Sequence, residues 1–255
     1  MTAIRCEWGE WGVRSLLPVA DVFIIVDVLS FSTCVEVAVS RGATVWPYAW
    51  KDDSARRFAT ERGALLAGKR GDKYSLSPGS LRELPVGAQL VLPSPNGATL
   101  SLAAAGRPTM CGCLRNAAAV AKAAGSYGPR VAVIPAGERW PDDSLRPCFE
   151  DWIGAGAIIE QLPGTRSPEA EAALAAWQTA RPKLLEQLRV CPSGQELIER
   201  GFPQDVEIAG EVNVSLSAPT MKEGAYVDGT LLLDSSEMEK RGLRMARPQV
   251  QHLTA

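Results

Sequence analysis

The side chains able to do chemistry in this chain gather at four points where an apolar run gives way to polar residues. Asp27 follows Val22-Phe23-Ile24-Ile25-Val26, and Ser30, Ser32 and Thr33 come directly after it. Asn96 and Gly97 follow Gln89-Leu90-Val91-Leu92, and Arg115 and Asn116 follow Thr109-Met110-Cys111. Glu150 and Asp151 lie beyond the run Arg130 to Ile134 and the turn at Gly137-Glu138. A carboxylate facing hydroxyls and free backbone N–H groups can hold a divalent cation and a phosphate together. Every piece also has an ordinary reading. Ser32, Thr33 and Asn96 are good helix caps. Arg115 reads as a surface cation. Glu150 and Asp151 are acids that a helix dipole favours at its start.

The elements that must position these residues follow from hydropathy. Val22 to Val26 is short and continuously apolar, which fits a strand buried on both faces. Phe31 to Ser40 reads as a helix, stopped by Arg41-Gly42. Strand and helix then alternate along the chain, with strands expected at Ile4 to Trp8, Ala43 to Tyr48, Ala64 to Ala67, Gln89 to Leu92, Thr109 to Cys111 and Arg130 to Ile134. Helices are expected at Asp52 to Arg62, Ala98 to Ala105, Ala117 to Ala124 and Phe149 to Leu162. The pattern predicts an α/β fold layered α/β/α around a mixed or mostly parallel sheet. Ligands bind such sheets at the carboxyl ends of the strands. Gly164 to Arg189 and Gly194 to Arg200 read as helical, and Val206 to Leu216 and Tyr226 to Leu233 as late strands. The unit count allows two similar halves packed within one domain over 1–243, with an irregular tail at 244–255.

Composition narrows the class. The chain has 255 residues, 46% of them hydrophobic, and a formal net charge of −2. Nothing global recruits nucleic acid or an anionic membrane. No apolar run approaches the roughly 20 residues of a membrane helix. The start lacks the basic-then-apolar plan of a signal peptide, so the expected location is cytoplasmic. A homo-oligomer is allowed by the pattern and not specified by it. The six cysteines do not read as a disulfide framework in a chain of this kind. Leu29 stands where an aspartyl-phosphate enzyme of the haloacid-dehalogenase type needs a second Asp. Cys34 and Arg41 are spaced too widely for a cysteine phosphatase, and His252 is the only histidine.

The motifs, taken in order, resemble the 2-phosphosulfolactate phosphatase family. They are Asp27-Val28-Leu29-Ser30, Gly68-Lys69-Arg70, Leu76-Ser77-Pro78, Ser94-Pro95-Asn96-Gly97-Ala98 and Gly112-Cys113-Leu114-Arg115-Asn116-Ala117. The set closes with Pro135-Ala136-Gly137 and Glu150-Asp151-Trp152-Ile153-Gly154-Ala155-Gly156. The likeness covers about residues 20 to 160, and Asp205 to Val227 is similar to the family's last strands. It implies a Mg²⁺-dependent phosphatase acting on the phosphate ester of a small 2-hydroxy acid. Asp27, Glu150 and Asp151 are then the catalytic and metal-binding acids. Ser30, Ser32, Thr33, Arg70, Asn96, Gly97, Arg115 and Asn116 are then the substrate-binding residues, and the partner is a small anionic phosphorylated molecule. The alternative is a family member that binds a small anion without turnover.

The departures are specific. Ser30 stands where the family has arginine, Lys69 where it has glutamate, Leu76 where it has asparagine and Ala98 where it has threonine. Losing a guanidinium weakens a pocket for a doubly anionic ester. Arg115 is the expected source of the missing charge, because its loop also opens from a strand end.

Overall fold

Strand Val22–Val26 is buried over its whole length. The computed structural model describes residues 2–50 and 52–229. In chain order the first elements are β1 (Ala3–Cys6), α1 (Gly9–Leu16), β2 (Val22–Val26), α2 (Phe31–Ser40), β3 (Thr44–Tyr48) and α3 (Asp53–Glu61). Then come β4 (Leu65–Leu66), α4 (Pro78–Leu81), β5 (Gln89–Pro93), α5 (Gly97–Ala103), β6 (Thr109–Gly112) and α6 (Ala117–Ala124). Next are β7 (Arg130–Pro135), β8 (Glu138–Arg139), β9 (Leu145–Arg146), α7 (Phe149–Gln161), β10 (Thr165–Arg166) and α8 (Pro168–Ala180). The last are α9 (Leu184–Val190), α10 (Pro192–Glu199), α11 (Pro203–Ala209), β11 (Pro219–Lys222) and β12 (Ala225–Asp228).

Successive strand side chains point to opposite faces, and β2 shows what this builds. Val22, Ile24 and Val26 join a core with Val120 of α6, Ile158 of α7 and Trp177 of α8. Phe23 and Ile25 join a second core with Val13 and Leu16 of α1 and Leu100 of α5. A third core packs α2 against Val45, Leu90, Leu92 and Tyr226. Helices therefore cover both faces of the sheet, which is the layered α/β/α arrangement expected.

One ten-stranded sheet runs in the order β10-β1-β7-β2-β6-β11-β12-β3-β5-β4. β10, β1, β7, β2 and β6 pair in parallel, as do β3, β5 and β4. The hairpin β11–β12 is antiparallel to itself and to both flanking strands, so it splices the two parallel blocks into one mixed sheet.

The expected strand from Val206 to Leu216 is instead helix α11, followed by irregular chain. Pro203 opens it, and Asp205, Val206, Ile208 and Ala209 are buried along one helical face. The first strand ends at Cys6, and the two glycines Gly9 and Gly12 sit in a helix that patterning passed over. The expected last strand is present as β12 up to Asp228. Its remainder at 230–233 and the expected tail at 244–255 lie outside the described residues.

Candidate active site

A cleft of about 830 Å³ is lined by residues from both parallel blocks. Its lining includes Asp27, Ser30, Lys69, Arg70, Asn96 and Glu138, together with Arg56 of α3 and Ser193 and Arg200 at α10. Asp27 lies just past the end of β2 and is 7% exposed. Its Oδ1 accepts from the Phe31 N–H at 3.1 Å, and its Oδ2 accepts from the Gly97 N–H at 2.9 Å. The carboxylate thus ties the start of α2 to the start of α5, although 70 residues separate Asp27 from Gly97. A Cβ at Gly97 would run into the Phe31 ring and come within 2.8 Å of Asp27 Oδ2. Gly97→Ala is therefore expected to cost about 1–3 kcal/mol, as overpacking does. Urea unfolding measures it, and an unchanged midpoint would remove the steric argument.

Ser32 and Thr33 hold this loop from behind. Ser32 Oγ donates to the Ile25 carbonyl at 3.1 Å and accepts from the Asp27 N–H at 2.9 Å. Thr33 Oγ1 donates to the Val28 carbonyl at 2.7 Å. Both residues are fully buried, and neither lines the cleft.

Asp151, in the first turn of α7, joins two further strand ends. Its Oδ1 accepts from the Val28 N–H at 2.7 Å and its Oδ2 from the Gly137 N–H at 2.8 Å. Burial pushes the Asp151 carboxyl well above its usual range, with the charges of Asp27 and Glu150 adding to the effect. Glu150 is 2% exposed, and its Oε2 has no hydrogen-bond partner among the described residues. Asp27, Glu150 and Asp151 are thus brought within electrostatic reach of one another. Among the described residues, however, no group of three or more His, Cys, Asp or Glu side chains is placed to hold a metal ion.

The acid that faces Asp27 most strongly is Glu138. Burial raises the Asp27 carboxyl to about 7, and the charge of Glu138 is the next largest cause. The N–H bonds from Phe31 and Gly97 pull the other way. Glu138 Oε2 accepts from Asn96 Nδ2 at 2.9 Å. Sequence reasoning marked the turn at Gly137 and did not single out Glu138, which follows it directly.

The cationic wall rests on a buried acid. Arg70 Nη1 donates to Asp205 Oδ2, and Arg70 Nη2 donates to Ser30 Oγ at 3.2 Å. Asp205 is fully buried and also accepts from Ser77 Oγ at 2.7 Å. The guanidinium beside Ser30 is therefore that of Arg70. Asp205 carries no local sequence signal for this role, because it lies 135 residues from Arg70.

Arg115 and Asn116 lie elsewhere. Arg115 pairs with Glu36 of α2 and with Glu211, and lines a separate surface hollow. Asn116 is fully buried, accepting from the Cys113 N–H at 2.8 Å and donating to the Ser217 carbonyl at 3.2 Å. It fastens the end of β6 to the segment before β11. All six cysteines are buried and free of disulfides. No helix among the described residues is long and apolar enough to cross a membrane.

The sequence that builds this cleft is similar to that of known proteins. The family model described as 2-phosphosulpholactate phosphatase matches residues 14–224. The chain belongs to that family. It is 32% identical over 207 residues to "2-phosphosulfolactate phosphatase" of Methanothermobacter thermautotrophicus, covering 79% of this chain and 87% of that protein. It is 30% identical over 225 residues to "Probable 2-phosphosulfolactate phosphatase" of Carboxydothermus hydrogenoformans, covering 84% of this chain and 91% of that protein. Family membership makes the chain a phosphatase-like hydrolase. The matched span contains Asp27, Ser30, Arg70, Asn96 and Glu138, and so the cleft's central residues.

Proposed function

We propose that the chain hydrolyses the phosphate ester of a small 2-hydroxy acid in the cleft beside Asp27. The observation that carries this reading is a buried carboxylate at a strand end in a cleft whose lining includes Lys69 and Arg70. Those cations receive the anionic ester. A carboxyl raised to about 7 can exchange a proton at neutral pH.

Mg²⁺ fits Asp27 with Glu138 better than it fits the three acids Asp27, Glu150 and Asp151. Mg²⁺ takes one or two carboxylates and keeps several waters. Asp27 and Glu138 both line the cleft, and their mutual repulsion is what a cation there would relieve. Asp27 and Asp151 each accept two backbone N–H bonds, but Asp151, like Glu150, lies outside the cleft lining. Bound there, the ion would polarise the phosphoryl group.

The protein's own groups do the rest. Arg70, held by Asp205, orients one anionic group of the substrate, and its bond to Ser30 keeps it at the cleft wall. This reading gives Arg70 alone the role that the sequence reading shared between Arg70 and Arg115. Asn96 steadies Glu138, and Asp27 orients or deprotonates the attacking water. The reading in which an anion binds without turnover draws on the lack, among the described residues, of three acids placed to hold a metal ion. Phosphate release from phospholactate, with and without Mg²⁺, separates the two. Mg²⁺-dependent release supports the hydrolase, and binding of phospholactate without release supports the alternative.

The elevated Asp27 carboxyl sets the pH dependence. Its value of about 7 means that the ionised fraction grows as pH rises through 7. If the reaction needs the carboxylate, kcat/KM at fixed, sub-saturating Mg²⁺ rises through pH 7 and levels above it. Glu138→Gln removes a charge that raises this value, so the midpoint should move to lower pH. A midpoint that stays in place would detach Glu138 from Asp27.

A further inference from the structure

A second cavity, of about 370 Å³, lies on the far side of Asn96 and Glu138. Pro95, Asn96 and Glu138 line both spaces, so the Asn96–Glu138 hydrogen bond forms the sill between them. We propose that this cavity receives an apolar or aromatic side chain of the substrate, while the phosphate and carboxylate stay in the larger cleft. The inference rests on the cleft being the reaction centre and adds the class of substrate it accepts.

The two spaces differ in their cations. Arg56, Lys69, Arg70 and Arg200 line the cleft beside the acids Asp27, Asp52, Asp53, Glu138 and Glu196. The second cavity contains the acids Glu10, Glu138 and Asp143, with Arg139 as its cation. Arg139 is already paired with Asp143 at 3.3 Å. Glu10 is paired with Arg14, so a sulfonate or second phosphate placed there would meet Glu138 with no unengaged cation among the lining residues. An uncharged group would not.

The walls fit such a group. Trp8, Trp11, Leu100 and Leu145 contribute to the lining. Trp8 is held rigid by stacking on Trp152, with centroids 5.2 Å apart and planes 13° apart. Trp11 is 79% exposed at the cavity edge, with the Arg14 guanidinium 5.3 Å from its ring centroid. An apolar cavity of roughly 150 Å³ already accommodates benzene, so a phenyl group has room here.

The test compares the phosphate esters of lactate, 3-phenyllactate and 3-sulfolactate on the full-length protein with Mg²⁺. The expected result is a kcat/KM at least tenfold higher for the phenyl ester than for the lactate ester, with the sulfo ester below the phenyl ester. Trp11→Ala should reduce the phenyl-to-lactate ratio severalfold. A ratio near one, or preference for the sulfo ester over the phenyl ester, overturns the inference. Should no ester turn over, the hydrolase reading fails, and calorimetric binding of 3-phenyllactate decides the cavity's role. Binding weakened severalfold by Trp11→Ala supports it, and absence of binding overturns it.

Discussion

Asp27→Asn is expected to lower kcat/KM for a phosphorylated 2-hydroxy acid by about 10³-fold, within the range for a positioned acid–base group. The substitution removes the charge on the cleft floor while keeping the side chain's shape. Asn retains one oxygen for either the Phe31 or the Gly97 N–H, and its amide nitrogen cannot accept from the other. One buried donor is left without a partner, which costs about 1–3 kcal/mol. The folded state should therefore survive, and circular dichroism with urea unfolding would show it. A folded variant with kcat/KM within tenfold of the parent would remove Asp27 from the mechanism.

Arg115→Ala is expected to destabilise the fold by about 3–5 kcal/mol, the cost of breaking a buried ion pair. Glu36 has a fully buried side chain, and Arg115 is its ionic partner across the α2 flank. Its other oxygen, Oε1, has no hydrogen-bond partner among the described residues. Removing the guanidinium would leave a carboxylate charge uncompensated in the interior. Glu36→Gln in the same chain should recover part of the loss. Phosphate affinity at 25 °C should stay unchanged in folded Arg115→Ala, because Arg115 does not line the cleft. A weakening of phosphate binding on the order of 1.5–3 kcal/mol, the range for a hydrogen bond to a charged group, would return a substrate role to Arg115.

These two residues show what could be read from the chain and what could not. Asp27 was legible because its cause is local. An unbroken apolar strand has to be buried, and the first polar residue past its end has to face the sheet edge. The layered α/β/α arrangement was legible for the same reason, since hydrophobic period reports which faces each element buries. The antiparallel hairpin β11–β12 was not. Its strands are short, and the splice depends on pairing with β6 and β3, which lie far away in sequence.

For the polar residues, sequence determined the inventory and tertiary structure decided the roles. Ser32, Thr33 and Asn116 have the composition of ligand-binding residues, and folding spends their polar atoms on backbone groups. Arg115 and Arg70 look alike in sequence, each following a glycine-containing turn near a strand end. Which one faces the cleft depends on where a buried carboxylate waits: Glu36 draws Arg115 to the flank of α2, and Asp205 holds Arg70 beside Ser30. A charge in a folded chain goes where its desolvation is compensated. That compensation comes from residues 79 and 135 positions away, beyond the reach of any local pattern.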